Sequence, residues 1–137
     1  MAIHDVKDGD VVLARHITAE EWGDGLKFFS ADEEFIQVGI WGYDVDKSIQ
    51  PHAHNEVERT VAWTQEALYV RSGAVRCHVY DLTLDHVTDL DARAGDILVL
   101  LRGGHGYTVL EPGTQVLEIK NGPYVGADRD RFRFQND

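Results

Sequence analysis

Residues 66–80 read Glu66-Ala67-Leu68-Tyr69-Val70-Arg71-Ser72-Gly73-Ala74-Val75-Arg76-Cys77-His78-Val79-Tyr80. Side chains two apart on a strand share a face, so a half-buried strand alternates apolar and polar residues. Leu68 and Val70 share the parity of Glu66, and Val75, Cys77 and Val79 oppose Arg76 and His78. The stretch therefore reads as two strands, and Ser72-Gly73 between them is expected to close a hairpin.

The same period recurs on both sides. Val11–His16 and Leu26–Ser30 read as early strands. Phe35–Tyr43 alternates, with Ile36, Val38 and Ile40 on one face and Gln37, Gly39 and Trp41 on the other. Asp81–Leu84 is a turn before a strand at Asp85–Leu90. Ile97–Leu101 is almost continuously apolar, the pattern of a strand buried on both faces. Tyr107–Leu110, the Glu111-Pro112-Gly113 turn and Gln115–Lys120 complete the set. A short helix is expected at Thr18–Trp22: Thr18 and Glu21 have capping-box spacing, and Gly23 and Gly25 follow. No repeat, low-complexity tract or linker divides the chain, so residues 1–137 read as one all-β domain, a sandwich or barrel with at most that helix. The charged tail, Ala127–Asp137, carries Phe132 and Phe134, which are expected to dock on the barrel or on a neighbouring subunit.

The chain has 24 acidic and 13 basic residues and a formal charge of −11. Nucleic acid and anionic membrane both need basic surface, so neither is an expected partner. A lone cysteine, Cys77, excludes an intrachain disulfide and fits a reducing compartment. No apolar leader stands in residues 1–20, and no apolar run is long enough to span a bilayer; the expected location is the cytoplasm.

Four residues suggest a metal centre. His52 and His54 are one residue apart, which on a strand points both imidazoles the same way, and neutral imidazole is a frequent transition-metal ligand. Glu66 aligns with core-facing Leu68 and Val70, where a carboxylate needs a partner because an unpaired buried charge is costly. His105 lies in Gly103-Gly104-His105-Gly106-Tyr107, whose glycines let the backbone turn sharply, and it shares parity with Tyr107 and Val109.

With these residues the chain resembles the cupin superfamily. That family's first motif contains His-x-His, then a glutamate, six residues and a glycine; here His52-x-His54 matches, and so does Glu66 with Gly73. Its second motif starts at Gly95-Asp96, with Leu101 in place of a proline, Gly103 matching and His105 one residue early. Eleven residues separate His54 from Glu66 where the family has three or four, and Asp46 replaces the expected first glycine. Glu58 fits the short spacing, but only Glu66 reproduces the following strand and turn. Asn55–Gln65 is then an inserted loop or hairpin at the barrel mouth.

The resemblance implies a double-stranded β-helix holding one divalent ion through His52, His54, Glu66 and His105. Iron, manganese, nickel, zinc and copper all suit that ligand set. Open coordination positions would admit water, oxygen or a chelating small molecule. Tyr107 is the candidate catalytic residue, and Trp41, Lys120 and, on the inserted loop, Arg59 are candidate substrate contacts. The expected function is an oxygenase, isomerase or related enzyme acting on a small polar molecule such as a carbohydrate or keto acid. The alternatives are a metal-dependent binding or sensing module and a structural cupin with a vacant site. Small cupins resemble one another in pairing as dimers, so a homodimer is a further expectation.

Overall fold

The computed structural model describes residues 2–135. Among these residues, ten strands form three antiparallel sheets. Ile3–Asp8 (β1) and Val11–Ile17 (β2) form a hairpin whose turn contains Gly9 at φ +59°. Gly25–Phe28 (β3) and Gly39–Gly42 (β4) form a separate ribbon. Glu66–Ser72 (β5), Ala74–Tyr80 (β6), His86–Arg93 (β7), Ile97–Leu100 (β8), Gly104–Val109 (β9) and Gln115–Lys120 (β10) follow, then one turn of helix, Ala127–Asp130 (α1). The large sheet runs β1-β2-β8-β5-β10 and the smaller one β7-β6-β9. These sheets are separate and do not close into one barrel among the described residues.

Alternation explains the layering. Leu13, Leu68, Val70, Leu98 and Leu100 from the large sheet join Val75, Cys77, Val79 and Leu90 from the small one in a single apolar cluster. The other face of the large sheet carries Ile17, Ile97, Val99 and Leu101, covered by Ile40 and by Phe29, Ile36 and Val38. Strand β8 is buried along its whole length, as its unbroken apolar run predicts.

Three local expectations change. Ser72-Gly73 does not close a hairpin: β5 pairs with β8 and β10, whereas β6 pairs with β7 and β9. Only Gly73 separates the two strands, too little for a two-residue hairpin loop. The chain instead turns a corner between sheets. Gly73 takes φ +79°, and a Cβ there would fall 2.7 Å from the Thr114 Cα, so glycine is required. The Thr18 helix shrinks to a 3-10 turn, Ala19–Glu21, because the Thr18 hydroxyl makes no capping bond. Phe35–Val38 alternates as expected yet covers the large sheet without forming part of β4. The β1 strand was not anticipated, although Asp8-Gly9 is a turn pair directly before β2.

Cys77 is fully buried, as its place among core residues suggests. Burial, with the Glu66 and Asp89 carboxylates, pushes its thiol up to about 12. Native protein at pH 8 is therefore expected to release no colour from Ellman's reagent, and denatured protein one equivalent. Rapid reaction of the native thiol would contradict this packing.

Candidate functional site

Glu66 opens β5 on the inward face, directly opposite Lys120 of β10 and Leu100 of β8. His105 and Tyr107 on β9 pair with Val79 and Cys77 of β6, and they face inward across the gap between sheets. Glu66 is only 4% exposed. Its Oε1 lies 2.5 Å from His105 Nε2 and accepts a hydrogen bond from the Tyr107 hydroxyl at 3.2 Å. Lys120 Nζ is 3.6 Å from Oε2. One carboxylate thus gathers an imidazole, a phenol and an ammonium.

These contacts decide the charge of the centre. Burial pushes the Glu66 carboxyl up, but the hydrogen bond and charge of His105, with Lys120 and Tyr107, hold it below the usual carboxylate range. Desolvation and the Glu66 charge push the Tyr107 phenol far upward, so it keeps its proton at any physiological pH. The centre combines a fixed anion, an imidazole in contact with it and a hydroxyl donor.

The remaining candidates lie elsewhere. His52 and His54 are not on a strand: residues 43–65 contain none, and both rings are exposed, their centroids 5.3 Å apart. His52 Nδ1 contacts Gln50 O instead. Arg59 is exposed and turned back on Val57 O. Trp41 sits on the ribbon opposite Leu26, stacked near Tyr43 and 59% exposed, away from Glu66. Two ligands at ~2.2 Å from one ion can be no more than ~4.4 Å apart. Among the described residues, three or more ligand atoms approach within 4.8 Å only at His78, His86 and Asp89. Glu66 and His105 therefore fit a shared ion, whereas His52 and His54 do not join them in this arrangement.

Glu66 and His105 line a cleft of about 910 Å³. Sequence reading missed much of its wall. Trp63 donates from Nε1 to Leu101 O, and the Arg102 guanidinium lies 4.0 Å from its ring centroid. Beside it Gln65, which is buried, accepts from Phe35 N at 2.7 Å through its side chain, while its backbone N–H donates to Asn121 Oδ1 at 2.7 Å. These bonds hold the start of β5, and hence Glu66, against the outer cover and the end of β10. The tail closes one side: Phe134 packs on Tyr80 at 5.0 Å, and the Thr64 hydroxyl bonds to Asp130. Docking of the tail on its own domain is as expected for Phe134, whereas Phe132 stays exposed. Arg102, Lys120, Arg131 and Arg133 line the cleft beside Glu66, Glu118 and Asp130, a local cationic excess on a strongly acidic chain. A periodic strand pattern carries no information on such loop and tail residues.

Comparison of the chain with protein-family models, with curated proteins and with solved structures finds no match. No helix of the described residues is long and apolar enough to cross a membrane.

Proposed function

We propose that the cleft around Glu66 and His105 is a metal-dependent site for a small polar molecule bearing a carboxylate or phosphate, within a cupin-like double-stranded β-helix. The observation that carries this reading is the buried Glu66 carboxylate in direct contact with His105 at the wall of a cleft. Glu66 and His105 would hold the ion, and His52 and His54 would complete it by a different path of residues 43–65. A divalent ion there would polarise a bound oxygen or acidify a bound water. The chain's own groups supply the rest. Lys120 and Arg102 attract an anionic group, and the cationic excess favours a keto acid or sugar acid over a neutral sugar. Tyr107, held neutral and donating to Glu66, has its oxygen lone pair to accept a hydrogen bond from a substrate hydroxyl. Glu66 stays ionised because three donors surround it, and Gln65 and Asn121 keep it in register. Burial of Glu66 between the sheets keeps bulk water from its carboxylate.

A second reading is favoured by the outward position of His52 and His54: a small-anion binding module that uses Glu66, His105 and Lys120 without an ion. Metal analysis separates the two. Relative to the parent protein purified without chelator, His105→Ala and His54→Ala are each expected to lose one equivalent of bound metal. Loss in neither variant contradicts the metal reading and leaves the binding module.

A further inference from the structure

A second cluster lies on the opposite face of the small sheet. Its register alternates faces, with His105 opposite Val79 on the inner side and Gly106 opposite His78 on the outer side. His78 on β6 stands directly across from Asp89 on β7. His86 is three residues before Asp89, a spacing that on a regular strand would place the two on opposite faces. A bulge between Val79 and Tyr80 removes that mismatch: Tyr80 pairs with His86 and Val79 with Thr88, so Val87 is the extra residue. The bulge turns His86 onto the face of Asp89. His78 Nδ1 and His86 Nε2 then lie 2.8 and 2.7 Å from the same oxygen, Asp89 Oδ1. All three ligand atoms are within 4.8 Å of one another.

We propose that His78, His86 and Asp89 form a binding site for one divalent transition-metal ion of the zinc class, distinct from the Glu66–His105 pair although His78, with Tyr80 and Thr108, also borders the cleft. Two imidazoles and a carboxylate match the nitrogen and oxygen preferences of zinc, nickel, cobalt and copper, and leave coordination positions open to solvent. The second contact of the first imidazole supports this role. His78 Nε2 lies 2.8 Å from Thr108 Oγ1 on β9. Thr108 Oγ1 can accept the Nε2–H of the tautomer that a ligand bound through Nδ1 needs, in place of the hydrogen bond that Nδ1 shares with Asp89. The His86 ring is steadied edge-on by Tyr80 at 5.6 Å. The neighbouring cation, Arg76, is occupied by Asp91 at 2.8 and 3.0 Å, which offsets its repulsion of an ion. An ion here would tie β7 to β6 beside the point where Phe134 of the tail docks on Tyr80.

The test is calorimetric titration of the full-length chain with Zn²⁺ in a Glu66→Gln background, which removes the carboxylate in contact with His105 and leaves this cluster intact. One equivalent is expected to bind at micromolar or tighter affinity. Adding His86→Ala or Asp89→Asn, both at exposed positions, is expected to weaken it by about 100-fold or more. Far-ultraviolet dichroism confirms that each variant keeps its fold. The Zn²⁺-induced rise in Tm should disappear with the same substitutions. Absence of binding in the Glu66→Gln protein overturns the proposal. So does binding that survives both His86→Ala and Asp89→Asn, or that is lost instead with His54→Ala.

Discussion

Arg15→Met is expected to destabilise the fold by about 3 kcal/mol, lowering Tm by roughly 10 °C. Arg15 is one of the most buried charged residues, on β2, facing the outer cover of the large sheet. Its Nε donates to Asp5 Oδ1 at 2.8 Å, and its other nitrogens donate to both Glu34 oxygens at 2.8 and 3.1 Å. Burial works against the guanidinium, but Glu34 and Asp5 more than offset it and raise its pKa further. Methionine keeps much of the volume but strands two carboxylates, one on β1 and one on the segment that covers the sheet. An unpaired buried charge costs more than the pair gains, so the double variant Arg15→Met, Glu34→Gln should recover part of the loss. Urea denaturation of the three proteins measures this. Equal stability of Arg15→Met and the parent would mean that Arg15 does not anchor the cover.

Leu98→Ala should cost a similar amount, about 3–4 kcal/mol. Leu98 is fully buried at the centre of β8, flanked by His16 of β2 and Leu68 of β5, and it faces the small sheet. Cutting its isobutyl side chain back to a methyl removes packing from both sheets. The strands around it are hydrogen-bonded on both sides and cannot collapse into the space, which places the cost in the upper part of the usual range. The urea midpoint should fall while the slope stays constant, because the surface exposed on unfolding barely changes. A loss below about 1 kcal/mol would contradict the two-sheet core.

Strand parity made most of this fold legible. The stretches that became β2, β6, β8 and β10 are read within a residue or two of their bounds: β2, β6 and β8 each bury one face or both, and β10 keeps the alternating pattern although it is largely exposed. The same parity found Glu66, His105, Tyr107 and Lys120, since opposing strands place inward-facing residues together. Parity names a face, however, and not what covers it. Trp41 lies on the face opposite Ile40, as its parity indicates, yet it does not line the cleft. The His52-x-His54 spacing points both rings the same way only on a strand. A strand needs a partner with free backbone groups, and residues 43–65 are exposed through most of their length and join no ladder. The Ser72-Gly73 turn misled because a glycine at positive φ serves a corner between sheets as well as a hairpin. The His78–His86–Asp89 group depends on a bulge, which shifts parity by one residue and leaves no mark in the hydrophobic pattern.

The central claim is that Glu66 and His105 form the metal-dependent centre of the cleft. Anomalous diffraction from crystals grown with Mn²⁺ or Zn²⁺ and without chelator tests it most directly. The account predicts a peak between the two side chains, about 2.0–2.2 Å from a Glu66 oxygen and from His105 Nε2, with their direct contact opened. Glu66 and His105 still in direct contact, with no anomalous density in the cleft, would contradict it.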